Sequence, residues 1–175
     1  MTHKKSHQRF EDLKPMKVAL SDNIRKASVG DLNRALADSI VLRDLYKKHH
    51  WQVSGLTFRE LHRLFDEHQE QQGELIDEIA ERIMQLGGVS IAMGADAAEA
   101  SEIPRPTRDR EAPSAQLERL AMAHEIVLSF ARQAARRAAD QGDDGTNDIF
   151  VSDIIRLNEK QAWFIHEHLA HAKLA

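Results

Sequence analysis

Apolar residues recur at helical spacing along four stretches of the chain, with polar or glycine-rich breaks between them. Leu32, Leu36, Ile40, Leu42 and Leu45 mark a first helix that runs to about Val53, with Ser28-Val-Gly-Asp31 as its capping box. Gly55 interrupts. Thr57-Phe-Arg-Glu60 forms a second capping box and opens a long helix that stops at Gly87-Gly88. Residues 89–113 hold three of the four prolines, so they predict a connection with a short helix inside it rather than one regular element. A third helix is expected from about Ser114 to Ala139. A fourth is expected from about Asn147 to His171, carrying Ile149, Ile154, Ile155, Trp163, Phe164 and Leu169 on its apolar positions.

Four helices of similar length predict an all-α fold, and few glycines, prolines and aromatics agree with it. The short first and last joins make antiparallel neighbours. The long middle connection can cross the bundle's length and set the second and third helices parallel, which is the topology of a ferritin-like four-helix bundle. At 175 residues, 42% of them hydrophobic and 30% charged, the chain fits one domain with a real core. Its net charge of −4 hides an asymmetry, because residues 1–27 carry seven Lys/Arg against three acids. The expected division is a basic, flexible arm over residues 1–27 and a bundle over 28–175. No apolar run approaches the roughly 20 residues of a membrane helix, and the N-terminus lacks a secretory apolar segment, so a cytoplasmic protein is expected. Cysteine is absent, which excludes disulfides, thiolate nucleophiles, zinc fingers and iron–sulfur clusters and leaves imidazole and carboxylate as metal ligands.

The second helix carries that chemistry. Leu61, Phe65, His68, Gln72, Leu75, Ile76, Ile79, Ile83 and Leu86 share its core face, while His62, Asp66, Asp77 and Glu81 point roughly 145° away. Taken singly, such residues read as a solvated charged face. Asp66 and Asp77 lie about three turns, or about 16 Å, apart, so the two pairs cannot hold one ion within one chain. They can do so between two copies. His62 and Glu81 are placed symmetrically about a point between Gln71 and Gln72, and so are Asp66 and Asp77; a two-fold axis there joins each pair to the other chain's complementary pair. Gly73 sits beside that point, where a missing side chain allows close approach. Mixed imidazole and carboxylate ligation suits ferrous iron, manganese or zinc better than calcium. His49 and His50, at the end of the first helix, can add an imidazole.

The stretch His50-Trp51, His62-Arg-Leu-Phe-Asp66 and Asp77-Glu-Ile-Ala-Glu81 resembles the Dps family of DNA-protection mini-ferritins, and Glu159-Lys-Gln-Ala-Trp163-Phe164 is similar to that family's last helix. The Glu-x-x-His motif of the larger ferritins' internal di-iron site occurs nowhere in the chain. The resemblance implies a hollow shell of twelve subunits built from two-fold dimers, with iron held at each dimer interface by His50, His62, Asp66, Asp77 and Glu81. It implies oxidation of Fe²⁺ by hydrogen peroxide in preference to oxygen, storage of ferric mineral, and protection of DNA. Trp51 beside the centre would intercept stray oxidising equivalents. The acidic run Gln141-Gly-Asp143-Asp144-Gly-Thr-Asn-Asp148 reads by itself as a turn and helix N-cap; the resemblance implies instead that acids at this join line an inlet channel at the three-fold axes, with Asp143 and Asp148 in those positions and Asp153 further along, while Ser152 stands where another acid would extend the lining.

Two other functions fit the same residues. Lys4, Lys5, Arg9, Lys14 and Lys17 could bind DNA, twelve arms summing weak contacts, in a nucleoid-compacting protein whose iron chemistry is secondary. Against this, Glu11 and Asp12 break the charge, and a solubilising tail explains it equally well. Alternatively the five ligands hold zinc, a competitor for the same donors, in a cage without redox chemistry. His166, His168 and His171 are too scattered around their helix to make a compelling extra metal site.

Overall fold

The computed structural model describes residues 7–172, and side chains as far as Ala170. Its helices are α1 (Asp22–Gln52), α2 (Phe58–Gln85), α3 (Gly94–Ala100), α4 (Pro113–Asp140), α5 (Asp144–Asp148) and α6 (Arg156–Ala172). A π-helical segment, Ile149–Ile155, joins α5 to α6, so the last three elements form one rod. There is no strand among the described residues.

Side-chain contacts fix the helix directions. Arg25, near the start of α1, donates to the carbonyl of Leu86 at the end of α2 (2.6 Å), so α1 and α2 run antiparallel. Arg137, near the end of α4, pairs with Asp31 near the start of α1 (2.8 Å), so α4 is also antiparallel to α1 and therefore parallel to α2. The crossover is pinned along α1 by two polar residues. Asn33 exchanges hydrogen bonds with Val89 O and Ile91 N, while buried Asp38 accepts from Ser101, Glu102 N and Arg34. Leu32, Leu36, Leu61, Phe65, Ile79, Ile83, Leu120, Phe150 and Ile154 form the heart of the core. Each such buried side chain contributes roughly 1.5–3 kcal/mol.

The expected start of α1 is displaced. Ser21, not Ser28, is the N-cap, its hydroxyl accepting from Ile24 N (3.4 Å). Ser28 lies inside the helix, buried, and donates to Asp143 (2.6 Å). The first helix therefore begins at Asp22, inside the stretch expected to be arm. Thr57 does stand at the start of α2, but its side chain makes no capping bond.

Part of the basic arm lies against the bundle instead of standing free. Gln8 and Lys14 both donate to the carbonyl of Gly87, at 2.9 and 2.7 Å. Gly87 ends α2 in a Schellman turn, with Gly88 N reaching Ile83 O and Gly87 N reaching Met84 O. Its φ of 82° favours glycine, and an added Cβ would strike Lys14 O and crowd Met16. Gly55 also has positive φ, but open space around it. Gly55→Ala thus carries conformational strain alone, about 1–2 kcal/mol, whereas Gly87→Ala is expected to lose clearly more as the arm is pushed off. Urea midpoints of the two variants measure the difference; equal losses would show that the Lys14 contact adds nothing.

Candidate metal centre

The tight link from Val53 to Thr57 sets the last turn of α1 beside the first turns of α2 and brings His50 onto His62. Their rings stack with centroids 3.8 Å apart and planes at 21°. His50 Nδ1 lies 2.7 Å from the carbonyl of His62, and His62 Nδ1 lies 2.9 Å from the carbonyl of His50. A carbonyl only accepts, so both Nδ1 atoms carry hydrogen, which leaves Nε2 as the only atom of each ring that can offer a lone pair to another partner. Asp66, one turn beyond His62, accepts from Lys47 Nζ at 2.8 Å and lies 3.8 Å from His50 Nε2. The Lys47 hydrogen bond, with the charges of His50, Lys47 and His62, lowers the Asp66 carboxyl pKa against a smaller opposing effect of burial. Two stacked imidazoles and a carboxylate thus lie side by side at the outer face of the α1–α2 corner.

His49 turns the other way. It is fully buried, neither ring nitrogen has a hydrogen-bond partner, and burial first, then the Lys48 charge, lowers its pKa to about 4. Of the two neighbouring histidines, His50 is the one placed beside His62.

Asp77 and Glu81 are exposed on the same outward stripe of α2, toward its far end. The structure does not bring them to His62 and Asp66, and no group of three or more His, Asp or Glu side chains among the described residues is placed to hold an ion. Midway along the stripe, Gly73 has nothing within 4 Å of where a Cβ would stand. Large apolar residues lie bare at both ends: Trp51 (72% exposed), Leu56 and Phe58 near His62, and Met84 near Glu81.

Asp143 is corrected as a channel acid. It is 1% exposed and enclosed, accepting from Ser28 Oγ (2.6 Å), Arg82 (2.7 Å) and Thr146 N (3.1 Å). Burial works to raise its pKa, but the hydrogen bonds and the Arg82 charge outweigh that and leave it lowered. It is the N-cap of α5, an internal joint. Asp148 is exposed and accepts from Ser152 (2.7 Å), while half-buried Asp153 has its pKa raised by burial and by Asp148. Arg9, Lys14 and Lys17 are exposed; Lys4 and Lys5 lie outside the described residues. His166 is exposed and His168 half-buried, and the side chain of His171 lies outside the described residues.

Sequence reasoning missed a buried polar chain across the bundle centre. Tyr46 of α1 meets His124 Nε2 of α4 at 2.6 Å and His68 Nδ1 of α2 at 3.0 Å. His124 Nδ1 continues to Asn158 of α6 at 2.9 Å. Gln72 and Gln161 close the network beside them. Burial lowers the pKa of His68 to about 3 and of His124 to about 4, so both are neutral. The only early signal was polar residues His68 and Gln72 on an otherwise apolar face.

The ferritin-like domain family matches residues 29–175. DpsC from Streptomyces coelicolor superposes with a TM-score of 0.93 at 46% identity, covering 94% of this chain and 96% of that one. DNA protection during starvation protein 2 of Bacillus anthracis is 30% identical over 83% of this chain and 99% of its own length. The chain belongs to the Dps family. A Dps protein from Vibrio cholerae O1, described as a member of a broad superfamily of ferritin-like diiron-carboxylate proteins, aligns with a TM-score of 0.82 at 28% identity, covering 90% of this chain and 99% of that one. In this Dps chain the bundle interior is occupied by the Tyr46 network, and the His62, Asp66, Asp77 and Glu81 set faces outward.

Proposed function

We propose that the protein is a ferroxidase that oxidises Fe²⁺ at sites shared between two subunits and stores the ferric product inside a shell of twelve, so limiting oxidative damage to DNA. The observation that carries this reading is the reciprocal His50–His62 pair beside Asp66, which presents preformed donors at a surface and lacks the ligands to finish a site. Asp77 and Glu81 of a second subunit, packed antiparallel along α2, complete it. The same packing covers Leu56, Phe58 and Met84 at the two ends of the helix.

Iron is the substrate. Carboxylates stabilise Fe³⁺ over Fe²⁺ and so favour electron release, and two ferrous ions together supply the two electrons that take hydrogen peroxide to water. His50 and His62 bind through Nε2 because their Nδ1 hydrogens are committed to carbonyls. Lys47 holds Asp66 in place and ionised. Trp51, exposed beside His50, is positioned to absorb stray oxidising equivalents. Asp148 and Asp153 would draw cations toward a channel, and zinc would compete for the ligands. The setting is the cytoplasm, with DNA contact through Arg9, Lys14 and Lys17 as an additional role.

The test is ferric formation after peroxide is added to anaerobically Fe²⁺-loaded protein. Both His62→Ala/Asp66→Ala and Asp77→Ala/Glu81→Ala are expected to lose at least about 10–100-fold in rate. Co-refolding the two dead variants is expected to restore about a quarter of the wild-type rate, because each mixed dimer regains one whole site. No recovery in properly assembled mixtures would refute sharing, and unchanged rates in both variants would refute the ferroxidase.

A further inference from the structure

The polar chain at the bundle centre has a definite direction. Asn158 Nδ2 donates to Ile154 O (2.7 Å), so its Oδ1 faces His124 and accepts from Nδ1–H. Neutral His124 then has a bare Nε2, and the hydrogen of the 2.6 Å contact with Tyr46 belongs to the phenol. The phenol oxygen in turn accepts from His68 Nδ1–H. Tyr46 therefore has a proton acceptor on one side and a hydrogen-bond donor on the other, in a place closed to solvent.

This arrangement answers the difficulty of oxidising a buried phenol. Loss of an electron alone would leave a phenol radical cation, a very strong acid, with no route for its proton to solvent. With His124 as base, the proton moves the short distance to Nε2, the charge passes to an imidazolium whose Nδ1–H is held by Asn158, and the phenol becomes a neutral radical whose oxygen His68 stabilises. The location fits an electron donor to the metal centre. Tyr46 precedes His50 by one turn of α1, about 6 Å along the axis, and its ring lies 6.0 Å from that of Phe65, the neighbour of Asp66.

We propose that Tyr46 is a redox-active tyrosine, with His124 as its proton acceptor, which supplies the second electron when peroxide meets a site holding a single ferrous ion. This rests on the ferroxidase reading above. The step balances as one Fe²⁺, one hydrogen peroxide, one phenol and one neutral imidazole giving Fe³⁺, two hydroxide ions, a tyrosyl radical and an imidazolium. The O–O bond breaks, iron and tyrosine each give one electron, and the phenolic proton passes to His124. Hydroxyl radical is thereby not released. Tyr46 is the only tyrosine in the chain, so a tyrosyl signal has one source.

The experiment is rapid-freeze electron paramagnetic resonance on assembled protein loaded with one Fe²⁺ per site and mixed with peroxide. A tyrosyl signal is expected, whose hyperfine splitting collapses when the protein is grown on ring-deuterated tyrosine; that label needs no substitution. Tyr46→Phe is expected to abolish the signal and raise spin-trapped hydroxyl radical several-fold. His124→Gln is expected to shift the radical's g-tensor and shorten its lifetime several-fold. An iron-free arm, with photogenerated ruthenium(III) tris-bipyridine as oxidant, separates this proposal from the ferroxidase. Iron oxidation at the site with no tyrosyl signal, or with an indole signal alone, overturns the donor role. Unaltered g-tensor and lifetime in His124→Gln overturn the proton acceptor. If His62→Ala/Asp66→Ala oxidises iron like wild type, the ferroxidase and the donor role both fall, and a ruthenium-driven tyrosyl radical preserves only the redox-active tyrosine. Silence in that arm as well removes the proposal entirely.

Discussion

Acidification from pH 7 toward pH 4 is expected to unfold the protein cooperatively, driven first by its buried imidazoles. His49 and His124 have pKa values lowered to about 4 and His68 to about 3, against 6.5 for an unperturbed histidine. Folded values lie below unfolded ones, so the unfolded chain binds more protons once the pH drops under about 6.5. The stabilisation is complete above that pH and drains as the pH falls toward the folded values. A depression of this size corresponds to about 3 kcal/mol per group. Three such groups together rival the whole 5–15 kcal/mol stability of an ordinary domain. Urea midpoints at fixed protein concentration are expected to fall steadily between pH 6.5 and 4, and constant midpoints would sink the argument. His49→Leu supplies the contrast. Neither His49 nitrogen has a partner, so the substitution removes a group that must charge without breaking a hydrogen bond, and the acid transition is expected to move to lower pH.

Asp143→Ala is the second large effect, a loss of about 3–5 kcal/mol. The carboxylate joins three parts of the chain at once: Ser28 of α1, Arg82 of α2 and the first turn of α5. Its removal strands the Ser28 hydroxyl and leaves the Arg82 guanidinium, itself mostly covered, without its charge partner. Asp143→Asn keeps an oxygen for Thr146 N and Ser28 but loses the charge, and a smaller loss is expected. Thermal melting of both variants checks this, and an alanine variant within about 1 kcal/mol of wild type would show the joint to be dispensable. Because the Asp143 pKa is lowered on folding, its contribution is full above the unfolded carboxyl value and is lost progressively as the pH falls from there through the folded value, at lower pH than the onset of the histidine effect.

The helices were legible wherever apolar residues face the core, and the crossover was legible as an interrupted connection from its prolines. The first turns of α1 were not, because the residues that face the bundle there are Arg25 and Ser28, which bond polar partners and leave no apolar period. The π-helical segment also escaped notice, since Phe150, Ile154 and Ile155 read equally well at α-helical spacing. At the candidate site, His62, Asp66, Asp77 and Glu81 could be grouped because one helix carries all four. Lys47, which bonds Asp66, comes from another helix and gave no sign. Asp143 looked like an exposed turn residue because Ser28 and Arg82 are distant along the chain. The Tyr46 network was hidden for the same reason: its members come from four helices.

The exchange of hydrogen bonds between His50 and His62 has a mechanical side. Each ring is tethered to the other residue's backbone, so the two imidazoles act as a clasp across the α1–α2 corner. A cation drawn to either Nε2 would pull on both helix ends together, and backbone amides around the corner would then exchange with deuterated solvent more slowly. Filling the site and stiffening the corner are in that sense a single event, felt first at the link that a neighbouring subunit would have to meet.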